Sequence, residues 1–178
     1  MNSEQIIDRT KKWIIDVVIG CNFCPFAANV VKQQTIFYKV EGNAEMETCL
    51  ASFVHEMGRL DNDPTIETSF LIFPNAFQQF DDYLDLLSLA ENLLKGKGYE
   101  GIYQLASFHP LYLFADSGES DPANYTNRSI YPMLHLLREE SIDKALANYK
   151  DPESIPVRNI NFAKEKGLAY MKMLWDAL

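Results

Sequence analysis

The chain has 178 residues, 47% hydrophobic and 23% charged, with a formal net charge of −9 at pH 7. That length buries a full core without a disulfide or metal staple, and the acidic balance, with Lys and Arg scattered along the chain, argues against a basic face for nucleic acid. No apolar run approaches a membrane span, and the polar start MNSEQIIDRT has no signal-peptide core, so we expect one cytoplasmic domain, residues 1–178, with neither nucleic acid nor membrane as partner.

Residues 4–19 carry Ile6, Trp13, Ile14, Val17 and Val18 at helical spacing, which predicts a helix from Ser3 to a stop at Gly20. Cys21-Asn22-Phe23-Cys24-Pro25 reads as a turn opening a short helix at Pro25. Thr35–Val40 reads as a strand, 44–60 as a helix, Glu67–Phe73 as a buried strand and 76–95 as a helix with Phe77, Phe80, Leu84, Leu87 and Leu94 on its apolar side. Ile102–Phe108 is the third expected strand, with Tyr112–Phe114 as a fourth or a continuation. Residues 132–148, with Pro132 in the first turn, and 159–177 are expected helices. Alternating strands and helices predict an α/β domain with a small, mostly parallel or mixed sheet of three to four strands flanked by helices. Ligands of such sheets bind beyond the carboxyl ends of the strands. Those ends would gather Glu41–Asn43, Pro74-Asn75 and His109-Pro110.

The densest chemistry lies in residues 104–139, which hold two of the three histidines. Pro110 keeps His109 extended at a strand exit, either as a catalytic group or bonded to backbone in a turn. Asn127 or Ser129 can cap the expected helix, whose free N–H groups would favour an anion, and Arg128 offers a planar fork for carboxylate or phosphate. The alternative for Arg128 is a structural ion pair. On a helix, His135, Arg138 and Glu139 would share one face, with His135 as proton carrier tuned by Glu139 and Arg138 gripping an acidic substrate, or as a solvated network. The three cysteines, Cys21, Cys24 and Cys49, do not form a disulfide framework. A helix rather than a strand precedes Cys21-x-x-Cys24, which argues against a thioredoxin-type dithiol, while Cys24 at a helix start is either an activated thiolate or a small buried hydrophobe. Cys49 is expected in the core. Cys24, His109 and His135 would suit a catalytic metal with an open position, although no ligand spacing supports it.

Three blocks carry a resemblance. Gly20-Cys21-Asn22-Phe23-Cys24-Pro25-Phe26-Ala27 resembles a G-x-N-x-C-P-F-A motif, Phe108–Phe114 an F-H-P-x-Y-x-F motif, and Asn124–Ser129 with Tyr131-Pro132 and Leu134–Glu139 an N-Y-T-N-R-S-P-Y-P-x-L-H-L-L-R-E block. All three are similar to the bacterial domain-of-unknown-function family 1415. The resemblance implies no reaction. It does pick out Asn22, Cys24, Pro25, His109, Tyr112, Asn124, Asn127, Arg128, His135, Arg138 and Glu139, and it leaves Cys21 on a variable position. Ile130 stands where the family pattern has proline, implying a looser passage from loop to helix.

The leading expectation is an enzyme acting on a small anionic metabolite. Arg128 and Arg138 would hold the carboxylate or phosphate with Asn22, Tyr112, Asn124, Asn127 and Glu139 around it, and Cys24, His109 and His135 would do the chemistry. The alternatives are a non-catalytic module binding a small molecule or partner, a metal-dependent hydrolase built on Cys24, His109 and His135, and a buried polar network that fixes the loop 115–131. Cofactor and oligomeric state are not read from the sequence.

Overall fold

The computed structural model describes residues 1–147, 149 and 151–178. Helix α1 (Ser3–Trp13) starts at a capping box in which Asn2 and Gln5 satisfy each other's main-chain N–H groups. It continues as a π-helix over Ile14–Ile19 and stops at Gly20. A Cβ on Gly20 would stand 2.3 Å from the Asp16 carbonyl oxygen, so only glycine fits where the Gly20 N–H reaches back to Ile15 O. A short helix α2 (Ala27–Gln33) precedes strand β1 (Ile36–Val40), helix α3 (Met46–Asn62), strand β2 (Thr68–Ile72), helix α4 (Phe80–Gly96) and strand β3 (Tyr103–Phe108). Strand β4 (Met133–Arg138), helix α5 (Glu139–Leu146) and helix α6 (Ile155–Asp176) complete the chain, α6 being broken at Gly167, whose φ is 80°.

The fold is α/β with one mixed sheet of four strands in the order β1-β2-β4-β3. β1 and β2 are parallel, and β4 runs antiparallel to both β2 and β3. Because β4 lies reversed between them, β2 and β3 point the same way, so the ends of β1, β2 and β3 do share one edge, as expected from the sequence. Helices α3 and α4 seal one face, where Phe53, Met57, Tyr83 and Leu86 pack on Leu71, Leu134 and Leu136. On the opposite face α1, the π-helix and α6 bring Trp13, Ile14, Val17, Ala163 and Met171 against Phe70, Ile72 and Met133. Cys49 is fully buried in the core, as predicted.

Two expectations fail. Residues 132–148 are not one helix: Met133–Arg138 is a central strand and only Glu139–Leu146 is helical, while Asn148 lies outside the described residues. A central strand is apolar on both faces, so Met-Leu-His-Leu-Leu has no period-2 signal, and its leucines suit a helix equally. Pro132, with no N–H to donate, immediately precedes the strand, and its carbonyl accepts the Phe73 N–H. Tyr112–Phe114 forms no strand, because side chains rather than a neighbouring strand hold its main chain. Helix α4 also begins at Phe80 rather than at residue 76, after a turn in which Phe77 has φ 56°.

Candidate functional site

His109 is fully buried beyond the end of β3 and packs on Phe80 and Tyr83 of α4. Its Nε2–H donates to the Phe77 carbonyl at 2.8 Å and its Nδ1 accepts the Leu111 N–H at 3.0 Å. That assigns a neutral ring with both nitrogens occupied, and burial lowers its basicity from the ordinary value. The ring clips the turn after β2 to the turn after β3. The main-chain N–H of His109 donates to Asn127 O, and Ser129 N–H donates to His109 O.

The loop that follows is held by Asn124, also fully buried. Its Oδ1 accepts the Phe114 N–H at 3.1 Å and the Ser117 hydroxyl at 2.7 Å, and its Nδ2 donates to Gly118 O at 2.9 Å. Asn127 Nδ2 donates to Ser107 O. Arg128 donates through Nε to Tyr112 O and through an Nη to Glu119 O, with its guanidinium 4.7 Å from the centre of the Tyr125 ring. Tyr112 itself packs between Phe80 and Phe114. Ser129 caps no helix, since a strand follows, and its buried hydroxyl donates to Tyr131 O.

Arg138 is equally committed. Its Nε donates to Ile66 O at 2.9 Å and its Nη2 to Leu60 O at 2.5 Å and Asp63 O at 3.1 Å, satisfying carbonyls at and just beyond the carboxyl end of α3. The expected grip of Arg128 and Arg138 on one anion is therefore replaced by two separate main-chain clamps. Arg138 and His135 do not share a face either: three positions apart on a strand, they point to opposite sides of the sheet. Glu139 opens α5, where its N–H donates to Ile102 O.

His135 faces α1, whereas His109 sits against α4 on the other side of the sheet. The expected Cys24–His109–His135 metal centre is thereby divided, and among the described residues no group of three His, Cys, Asp or Glu side chains can hold a metal ion. Cys24 packs at the edge of the α1-side core. Burial pushes its thiol up, against the opposing hydrogen bonds from the main chain at Phe26 and Ala27, the direction opposite to thiolate activation. The Cys21 thiol is raised by the same cause. Asn22 is exposed with φ 55°. Its carbonyl accepts from Arg158 and that of Phe23 from Asn159, fixing the loop on α6.

One motif side chain keeps an unused group. His135 aligns with Phe70 of β2 and Ala106 of β3, and Phe70 aligns with Tyr38 of β1. The imidazole stacks on Phe70 at 3.8 Å and 7°, and Tyr38 stacks on the far side at 5.9 Å from Phe70, with Phe108 alongside. Thr68 Oγ1 donates to Leu136 O and stands 2.5 Å from His135 Nε2. With that hydroxyl proton committed, Nε2 carries the ring hydrogen and Nδ1 holds a lone pair. Nδ1 has no partner among the described residues, and no buried side-chain nitrogen or oxygen among them lacks one, so Nδ1 reaches solvent. His135, Leu137 and Ala106 are half-buried on this face, while Leu134 and Leu136, pointing to the other, are buried. Burial pushes the imidazole down to about 3.

Residues 5–173 match the sequence profile of the family described as Protein of unknown function (DUF1415). The chain belongs to that family. No curated protein and no solved structure matches it. Among the described residues, no helix is long and apolar enough to cross a membrane. Sequence reasoning missed Tyr83, a family member's buried strut: its hydroxyl donates to Met133 O and accepts the Phe108 N–H, tying α4 to two strands. Its signal was a polar-tipped aromatic on the apolar face of a predicted helix.

Proposed function

We propose that this family member is a non-catalytic binding protein for a small, flat, uncharged molecule that lies beside the Tyr38–Phe70–His135 row and donates a hydrogen bond to His135 Nδ1. The observation that carries the reading is that single unpaired lone pair on a half-buried His135, in a row whose central ring, Phe70, is buried between His135 and the half-buried Tyr38. Ring-shaped ligands gain stacking area there, and one polar group fixes their orientation. An imidazole whose basicity burial lowers from the ordinary value is a hydrogen-bond acceptor at neutral pH and a poor general base, since efficient proton transfer wants a pKa near the working pH. The raised thiols and the arginines bonded to main-chain carbonyls support binding over chemistry on an anion.

Indole, whose N–H can meet Nδ1, is a suitable probe. Titration of the isotope-labelled protein should shift the His135 ring nitrogens together with Ala106 and Phe108, and indole should be recovered unchanged after long incubation. Inorganic phosphate and acetate should leave those resonances in place. Phosphate-induced shifts centred on Arg128, or no response to indole at millimolar concentration, would overturn the reading.

A further inference from the structure

β1 is an edge strand whose outer side is unpaired. In a parallel ladder, alternate residues of a strand bond to its neighbour. The Glu67 N–H donates to Thr35 O and the Glu41 N–H to Ile72 O, so the odd-numbered residues face β2. The main-chain groups of Ile36, Tyr38 and Val40 then point away from the sheet, and among the described residues no hydrogen bond from another segment reaches them. Edge strands are commonly guarded by proline, bulges or several charges. β1, Ile-Phe-Tyr-Lys-Val, has one charge and no proline.

The two sides of this edge differ. Towards α1 and α2 runs a groove of about 400 Å³ lined by Ile15, Val30, Val31, Ile36 and Tyr38, with Lys11 at its rim, 5.6 Å above the Tyr38 ring. Ile15 is half exposed. Towards α3, Phe37 lies under the Arg59 guanidinium at 3.9 Å, whose Nε is bonded to the buried Glu56 carboxylate, while Lys39 forms no ion pair among the described residues and acts only through its charge on Glu41. An incoming strand would therefore meet apolar surface on one side and, on the other, the Lys39 ammonium beside an Arg59 already paired with Glu56.

We propose that the β1 edge accepts an extended peptide segment of a partner protein as a fifth strand. Main-chain bonds go to Ile36, Tyr38 and Val40, apolar side chains of the peptide fill the Ile15–Val30–Tyr38 groove, and its alternate side chains present a carboxylate to Lys39. Strand addition of this kind draws affinity from the main chain and specificity from alternate side chains. A second copy of this chain fits less well. Antiparallel pairing of two β1 strands about Tyr38 sets each Lys39 opposite Phe37 on one face, bringing two lysines together, while Glu41, just past the strand, is already engaged by the Ser52 hydroxyl and the Asn43 N–H. This edge shares Tyr38 with the row beside His135, but its main-chain groups are read by amide exchange at Ile36, Tyr38 and Val40 and the His135 lone pair by its ring nitrogens, so the two tests fail separately.

The probe is a capped peptide of alternating Val and Glu, with two controls: alternating Val and Lys, and the Val/Glu peptide N-methylated on the amides that would face β1. The readout is amide hydrogen exchange of the full chain. The Val/Glu peptide should slow Ile36, Tyr38 and Val40 by about tenfold or more while leaving Phe37 and Lys39, already bonded to β2, unchanged. Both controls should fail to slow them. Lys39→Glu should weaken Val/Glu binding about tenfold and favour the Val/Lys peptide. If that variant melts, the three peptides on the natural chain decide by themselves. Equal binding of all three peptides, no slowing at millimolar peptide, or slow exchange at these amides in the free chain together with a dimer by light scattering, would each overturn the proposal.

Discussion

Asn124→Leu removes the polar atoms on which the loop after β3 depends while keeping the branched shape of the side chain. The substitution deletes three hydrogen bonds, to the Phe114 N–H, the Ser117 hydroxyl and Gly118 O. Each is worth about 1 kcal/mol net, and a group left buried and unpaired costs about 1–3. Gly118 is exposed and regains water, whereas Phe114 and Ser117 are half-buried, so the loss should be about 3 kcal/mol. For a domain of this size that lowers the melting temperature by roughly 6–12 °C. Urea unfolding should show a lower midpoint with an unchanged slope, because the surface exposed on unfolding is the same. A loss below about 1 kcal/mol would refute the reasoning: Asn124 would then not hold the loop, and the family motif around it would need another explanation.

Stability should fall with pH below about 6.5, because both His109 and His135 are less basic folded than unfolded. The unfolded chain takes up these protons first, so the stability is complete above the unfolded value and is lost on acidification by at most about 1.4 kcal/mol per pH unit for each group. His135→Phe should flatten urea midpoints measured between pH 6.5 and 5, and an unaltered slope would show that His135 is already charged there. Gly20→Ala should cost more than about 2 kcal/mol through its clash with Asp16 O. By contrast Gly58→Ala, in the middle of α3 with open space around it, should gain about 0.5–1 kcal/mol; thermal melts of the pair check both signs. Cys24 should react with iodoacetamide at neutral pH more slowly than an unhindered thiol, and a faster rate would contradict the raised thiol.

Much of the architecture was legible in the sequence because local patterns and tertiary environment agree. Thr35–Val40, Glu67–Phe73 and Ile102–Phe108 are β-rich runs bounded by turns, and each lies within one residue or so of the observed strand. The helices α3 and α4 were legible as helices, but of the apolar side read for the second only Leu94 is buried, Leu84 being exposed and Tyr83, Leu86 and Ala90 lining the core instead. The motif residues were also legible as a set, since Asn124, Asn127, Arg128 and His109 do converge around one loop. Their use was not legible. A polar side chain in a loop looks the same whether it waits for a ligand or bonds a carbonyl, and only the positions of Tyr112 O, Glu119 O, Phe77 O and Leu60 O show that the latter holds here.

By itself, then, the sequence determined a single-layer sheet of about the right strands, most of the helices that cover it, and the family to which the chain belongs. Tertiary structure alone decided that residues 133–138 form a strand, because a segment buried on both faces carries no period to read. That one placement turned His135 away from Arg138, put it across the sheet from His109, and left β1 at an open edge. Hydrogen-bond partners brought together from distant parts of the chain are invisible to local pattern, and they set which polar groups are occupied and which remain available.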